Sequence, residues 1–209
     1  MSLILTACGD GGVSVPGDTT YKVSFISTWS STTHPDNFPA SPHYSGLIGA
    51  THNKNIIFWQ EGEPASPGIE HMAETGGKSL LIGEIETGIT AGNADKLISL
   101  GGLSTSPDSF SFNLEVNESH PYLTIVTMLA PSPDWFAGVS SFKLREGGDW
   151  LGSKTIPLFA YDAGSDDGTD YTSANADSDP KQAISKISNS PFFVDGEIKQ
   201  IGTLVIQRQ

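Results

Sequence analysis

Residues 131–170 read PSPDWFAGVSSFKLREGGDWLGSKTIPLFAYDAGSDDGTD, and they hold two acidic loops separated by apolar runs typical of strands. One loop contains Asp134, and the other contains Asp162, Asp166 and Asp167. If the strands pair, both loops reach the same end of a sheet and their carboxylates converge. Calcium takes about six to eight oxygen ligands, several of them carboxylates held by turns. The stretch therefore predicts a calcium site, in a protein that binds a ligand and does not catalyse a reaction.

Ordinary turn chemistry is the alternative explanation of these acidic residues. Asp caps turns and Gly supplies positive φ, so acidic glycine-rich loops also occur without a metal. The pattern is not an EF-hand, because a loop counted from Asp162 has Gly164 at its third position and Ser173 at its twelfth, where Glu is required. A metal site here has to be built from two separate loops.

The motifs PSPDWFAG (131–138) and YDAGSDDG (161–168) resemble the two signature motifs of the spondin amino-terminal domain, a family of animal extracellular matrix proteins and bacterial single-domain proteins. Further matching segments precede them: residues 21–29, Thr33, His34 and Pro35, HYSGLIGATH (43–52), Trp59, Ala65, Ser66 and Gly68. The resemblance extends over roughly residues 21–187. It implies an all-β fold with a few short helices, an antiparallel β-sandwich similar to a C2 domain.

The same resemblance implies a calcium ion at one end of the sandwich and a role in adhesion. Carried over residue by residue, Asp134, Asp162 and Asp166 are its side-chain ligands, and no catalytic residue is implied. Animal members carry a disulfide cysteine near the end of the strand after PSPDW, whereas this chain has Lys143, Leu144 and no cysteine there. Their adhesion partners are therefore a weak guide, and we expect an extracellular or envelope glycan or protein as the ligand.

Charge and composition exclude several other classes of protein. The 209 residues include 11 Lys and Arg against 24 Asp and Glu, a net charge of −13. Nucleic-acid binding needs a basic surface, and so does attachment to an anionic leaflet. An acidic surface suits divalent cations and solubility. We expect a monomer with one folded domain.

The single cysteine, Cys8, follows Leu5, Thr6 and Ala7, which resembles a bacterial lipobox whose cysteine is lipid-modified. Residues 1–20 are therefore interpreted as residual lipoprotein signal and flexible leader, and residues 21–209 as the domain. Since no stretch is long and apolar enough to span a bilayer, the lipid at Cys8 is the expected membrane attachment. The predicted location is the bacterial cell envelope, or secretion.

Local patterns predict the secondary structure. Apolar alternation or apolar runs predict strands over residues 21–27, 79–86, 111–116, 122–129, 136–144, 156–160 and 197–208. Helices are predicted over residues 67–74, with Ser66 as N-cap, and over 180–187, with Asp179 as N-cap. Residues 45–52 are expected to form a short helix or turn. Residues 30–43 and 91–109 are expected to be loops.

Two residue sets invite functional hypotheses that the sequence disfavours. His34, His43 and His52 are spaced unlike a compact zinc motif, so hydrogen bonding within the fold is favoured. Trp135 is interpreted as a packing residue. No nucleophile elbow or metalloprotease helix is present. The alternatives to a binding module are an envelope protein with a purely stabilising calcium ion and, less favoured, a metal-assisted hydrolase.

Overall fold

The structure, a computed structural model, describes residues 17–209 and consists mainly of antiparallel sheets with two short helices. The helices are α1 (Pro67–Thr75) and α2 (Ser79–Thr90). The strands are β1 (Thr19–Ser27), β2 (His43–Tyr44), β3 (Ile48–His52), β4 (Ala94–Ser99), β5 (Ser109–Val116), β6 (Tyr122–Ala130), β7 (Trp135–Lys143), β8 (Arg145–Glu146), β9 (Asp149–Trp150), β10 (Ser153–Leu158), β11 (Tyr161–Asp162), β12 (Ser185–Lys186), β13 (Phe193–Val194), β14 (Glu197–Ile198) and β15 (Gly202–Arg208).

Two sheets form a β-sandwich, as the sequence predicts. One has the strand order β10-β15-β1-β5, and the other has the order β12-β11-β7-β6-β3-β4. β1 shows the predicted alternation, because Tyr21, Val23, Phe25 and Ser27 are all at most 3% exposed. The side chains of Tyr21, Val23 and Phe25 face the second sheet and form the main core with residues of β6, β7 and β15.

β6 is the central buried strand that the sequence predicts. It pairs with β3 on one side and with β7 on the other. Every residue after Tyr122 is buried, so both of its faces are covered. Leu123, Ile125 and Leu129 pack in the core between the sheets, whereas Val126 and Met128 pack in a second core together with residues of α1 and α2. A strand covered on both faces is mainly apolar, and the two threonines of β6, Thr124 and Thr127, are its buried polar exceptions.

The predicted helix over residues 67–74 is confirmed as α1. The Ser66 hydroxyl accepts a hydrogen bond from the Ile69 N–H (3.2 Å), and Pro67 occupies the first helical turn. Gly76 ends the helix with a φ of 70°, the left-handed conformation that glycine adopts without strain. Ser66 also donates to Glu84 of α2 (2.7 Å), which ties the two helices together.

Three local predictions are wrong. Residues 79–86 form the start of α2 and not a strand, because the buried residues Leu81, Ile85 and Gly88 recur at helical spacing. Residues 45–52 contain β3, where Gly49 permits close approach to the backbone of β6. Residues 91–109, expected to be a loop, contain β4 at the edge of the larger sheet.

The predicted helix over residues 180–187 is also wrong. The segment is extended and includes β12. Its N–H groups bond to distant residues, as Gln182 donates to the Gly164 carbonyl (2.7 Å) and Ile184 donates to the Glu63 carbonyl (2.9 Å). These bonds hold the segment against the second acidic loop, so Asp179 caps no helix.

Neither α1 nor α2 is long and apolar enough to cross a membrane. Cys8, the predicted lipidation site, lies outside the described residues, as does most of the predicted leader.

Candidate metal site

The two acidic loops meet because β11 pairs with the start of β7. Asp162 lies opposite Trp135, and Tyr161 lies opposite Phe136. The Ala163 N–H also donates to the Asp134 carbonyl (3.2 Å). The predicted meeting of the two loops is therefore present, but its predicted cause is wrong. Residues 156–158 belong to β10, which pairs with β15 in the other sheet, and the two-residue β11 makes the connection to β7 instead.

Asp134 is a fully buried carboxylate with one unpaired oxygen. Its Oδ2 accepts hydrogen bonds from the Ser165 N–H (2.7 Å), the Asp166 N–H (3.1 Å) and the Ser165 hydroxyl (3.3 Å). Its Oδ1 is buried and has no hydrogen-bond partner among the described residues. Burial and the neighbouring Asp162 charge raise the pKa of Asp134 to about 6, against the lowering effect of the three hydrogen bonds. An unpaired buried carboxylate oxygen is costly unless a cation or a proton satisfies it.

Asp162 and Asp166 hold the turns of the second loop. The Asp162 Oδ1 accepts from the Gly164 N–H (2.7 Å). Asp166 is only 5% exposed, and its two oxygens accept from the N–H groups of Gly168 (2.7 Å) and Ala176 (2.9 Å). Burial is the main cause that raises the pKa of Asp162, and the nearby Asp166 and Asp167 raise it further. These carboxylates are thus oriented by backbone bonds while each keeps lone pairs free.

No basic side chain of residues 17–209 forms an ion pair with Asp134, Asp162 or Asp166. Lys181 is near, since its Nζ donates to the Ser165 carbonyl (3.1 Å), but its ion pairs are with Glu70 and Asp177. The mutual repulsion of the three aspartates is therefore not relieved by a salt bridge.

The three aspartates are neighbours without being tightly clustered. In the described part of the chain, the one set of ligand groups whose atoms all lie within 4.8 Å of one another is Glu70, Glu74 and Asp177, two of which Lys181 neutralises. Ligands on opposite sides of a calcium ion are themselves about 4.6–5.2 Å apart, given bonds of about 2.3–2.6 Å. The oxygen-only donor set and the unpaired Asp134 Oδ1 fit a hard cation such as calcium.

Some contributors to this site had no sequence signal. Ala176 reaches Asp166 through its backbone N–H, and Ser178 donates its hydroxyl to Asp167 (2.6 Å) from the same distant segment. A main-chain donor has no residue-type preference, so a motif search cannot find it. The small residues of the DAGSDDG motif were the available signal for the nearer donors, Gly164 and Ser165.

Trp135 and the three histidines have structural roles. Trp135 is 3% exposed and packs edge-to-face against Tyr171 and Phe192, which confirms the packing interpretation. His34, His43 and His52 bond to separate partners, namely Thr33, the Ser41 carbonyl, and Asn53 with Thr124. None of them belongs to a cluster of metal-ligand groups within the described residues.

The chain is similar to known proteins over most of its length. The Spondin_N family model matches residues 19–196. Spondin-2 of Rattus norvegicus is 32% identical over 174 residues, which cover 81% of this chain and 53% of that protein. Spondin-2 of Homo sapiens is 29% identical over 201 residues, covering 90% of this chain and 61% of that protein. Spondin-1 of Rattus norvegicus is 30% identical over 211 residues, covering 92% and 25%. The chain thus spans between a quarter and about three fifths of the length of these relatives.

Proposed function

The chain belongs to the Spondin_N family, and on that premise we propose that it is an extracellular binding module, without enzymatic activity, whose acidic loops are held by a calcium ion. The observation that carries the proposal is the buried Oδ1 of Asp134, which has no hydrogen-bond partner within residues 17–209. It lies beside Asp162, and no basic side chain in that range forms an ion pair with either aspartate. A cation at this position relieves both the unpaired oxygen and the repulsion.

Asp134, Asp162 and Asp166 supply the side-chain ligands in this proposal. The ligand oxygens would be Asp134 Oδ1 and the remaining lone pairs of Asp162 and Asp166, while backbone N–H groups orient all three carboxylates. Calcium is favoured over zinc because zinc selects nitrogen and sulfur ligands. It is favoured over magnesium because magnesium requires near-ideal octahedral geometry and retains several waters.

The bound ion fixes the loop after β6 against the loop after β11, and these loops then present a rigid surface to an extracellular glycan or envelope protein. Tethering through a lipid on Cys8 would keep this surface at the cell envelope. A purely stabilising ion is the second candidate, and it is supported by the complete burial of Asp134. That burial places at least one ligand away from any partner.

Thermal unfolding with EGTA, followed by titration of calcium, tests the metal site. A ligand that binds only the native state stabilises it by about 2.7 kcal/mol at a hundredfold excess over its Kd. For a chain of this length that corresponds to a rise in Tm of roughly 5–11 °C, at about 2–4 °C per kcal/mol. We expect a saturable rise that Asp162→Asn abolishes. The matched control Asp149→Asn, at an exposed aspartate of β9, should keep it.

A flat Tm together with no bound metal by elemental analysis would overturn the calcium site. If calcium does bind, assays with glycan arrays and whole cells distinguish a binding module from a protein in which the ion only stabilises the fold. If calcium is functional, Asp162→Asn loses ligand binding at a temperature where it remains folded. If calcium only stabilises, the folded variant binds as the wild type does.

A further inference from the structure

A second surface lies in the groove between the free edges of β7 and β10. Its volume is about 460 Å³, and none of the three site aspartates lines it. Its walls are mainly apolar and aromatic, and they include Ile57, Trp59, Phe142, Ile156, Pro157 and Tyr161. A function of this groove would therefore not depend on the proposed calcium site.

The outer edge of β7 is unpaired over most of its length. Its outer neighbour β11 covers only Trp135 and Phe136. Over residues 137–143, the backbone N–H and C=O groups of β7 have no hydrogen-bond partner on that side among the described residues. The contact there is made by a side chain, since the Ser140 hydroxyl donates to the Trp59 carbonyl. In an antiparallel ladder, every second residue of a strand directs its N–H and C=O toward a given neighbour. An unpaired edge of this kind is a template for a further strand.

The two edges that flank the groove differ in their protection. β10 is the outermost strand of its sheet and carries Lys154 and Pro157, both of which discourage edge pairing. Residues 137–142 of β7 contain neither a charged residue nor a proline, and the one lysine of β7, Lys143, lies at the very end of the strand. The sequence therefore blocks strand addition on one side of the groove and leaves it open on the other.

A β-bulge distorts β7 inside the groove. Ser140 and Ser141 together lie opposite Thr124, and Ser141 has a φ of 49°. The other described non-glycine residues with positive φ are Asn37 and Asp195, types that tolerate this conformation. The Ser141 hydroxyl and the indole N–H of Trp59 are also buried, and neither has a hydrogen-bond partner in the part of the chain that the structure describes. Strained backbone and unsatisfied polar groups concentrate at functional positions.

Charge indicates which kind of strand would bind. Glu61 is the one charged residue among those lining the groove, and the chain as a whole carries a net charge of −13. We propose that β7 accepts an extended segment of a partner protein, with alternating apolar and basic side chains, as an added strand along residues 137–143. The apolar side chains would face the walls of the groove, and the basic side chains would face Glu61.

The test uses a fluorescein-labelled, seven-residue peptide of alternating arginine and valine, acetylated and amidated, with calcium-loaded protein. Its control is the same peptide with alternate residues N-methylated, which keeps charge and apolarity but removes the N–H donors. We expect at least tenfold tighter binding of the unmodified peptide by fluorescence anisotropy. We also expect slower hydrogen exchange of amides within residues 137–143. Equal affinities, or no protection of these amides, would overturn the proposal.

Two surface variants locate the binding. Ile57→Arg alters a groove residue that is 56% exposed, and Leu80→Arg makes the same change on α2 at a residue that is 50% exposed. Only Ile57→Arg should weaken peptide binding, by about tenfold or more, while both variants keep the wild-type Tm. Equal weakening by both would show non-specific attraction and reject the groove. Peptide binding that persists in Asp162→Asn separates this result from failure of the calcium site.

Discussion

Nε2 of His52 lies 2.8 Å from the Thr124 hydroxyl, at the point where β3 and β6 pair. The other ring nitrogen, Nδ1, lies 2.8 Å from the Asn53 carbonyl, which only accepts, so Nδ1 carries the proton. Nε2 then accepts from Thr124, and the Thr124 oxygen accepts from the Ser141 N–H (2.9 Å). This directional chain of hydrogen bonds requires a neutral imidazole and supports the bulge in β7.

The free energy of unfolding should therefore fall in acid through His52. Burial lowers the pKa of His52 below its ordinary value, so the unfolded state binds a proton at higher pH than the folded state. This contribution is fully present above about pH 6.5 and is lost as the pH falls through the folded-state pKa. Urea unfolding between pH 7.5 and 5 should show a smaller acid loss for His52→Gln than for the wild type. Parallel curves would contradict the assignment.

Asp134→Asn should make the protein more stable than the wild type without calcium and less stable than the wild type with calcium. With EGTA at pH 8, the variant should be at least as stable as the wild type, because it removes a buried charge whose pKa is raised to about 6. The gain is on the order of 1–3 kcal/mol. With saturating calcium the wild type should be more stable, since only it binds the ion. Urea titrations in both buffers measure the free energy of unfolding. A variant that is less stable than the wild type in both buffers would indicate that Asp134 has a purely structural role.

Two glycine substitutions should have opposite effects. An alanine Cβ at Gly49 would overlap the Thr124 carbonyl oxygen and lie 2.7 Å from the Ile125 Cα, so β3 would have to separate from β6. We expect a loss of at least about 3 kcal/mol for Gly49→Ala. At Gly83, an exposed position of α2, a Cβ meets nothing within 4 Å, so Gly83→Ala should gain about 0.5–1 kcal/mol. Calorimetry on both variants measures these changes. A Gly49→Ala variant as stable as the wild type would contradict the pairing of β3 with β6.

Ser66→Ala should destabilise the helical layer. The substitution removes the N-cap bond to Ile69 and the bond to Glu84, and N-cap losses cost about 1 kcal/mol. We expect a fall in Tm of roughly 2–4 °C. Thr87→Ala is the control, since that exposed hydroxyl bonds only within its own helix, to the Gly83 carbonyl (2.8 Å). An equal change in both variants would refute a special role for the cap.

Elements with local sequence signals are predicted correctly. Elements whose secondary structure depends on contacts with distant segments are not. β6 was predictable because burial on both faces makes it continuously apolar, and α1 because Ser66, Pro67 and Gly76 are strong end signals. The sequence LLIGEI (80–85) in α2 predicts a strand, because it is about as apolar as a buried strand. β3 has no strand signal, because its Gly49 is unfavourable in an isolated strand. The glycine is needed here because the backbone of β6 lies too close for a larger residue.

The same division applies to the functional surfaces. Asp134 and Asp162 were identified from motifs, since carboxylates in turns are visible in the sequence. The unpaired oxygen of Asp134 and the backbone donor of Ala176 arise only when distant segments pack. The groove beside β7 depends on an unpaired strand edge and a bulge at Ser141, neither of which has a residue-type signature.

The position of β1 also determines how the domain resists mechanical force. β1 lies between β15 and β5, with Tyr21 opposite Arg208, so the beginning and the end of the fold are neighbours. Its other end leads to Trp29, which bonds Tyr171 beside Trp135 and the acidic loops. Force applied between the acidic loops and residue 19 would pull β1 lengthwise and load both of its ladders in shear, with many hydrogen bonds breaking together. Force applied between residues 19 and 209 would instead peel β1 from β15 one bond at a time, so the fold should resist force better between residue 19 and the acidic loops than between residues 19 and 209.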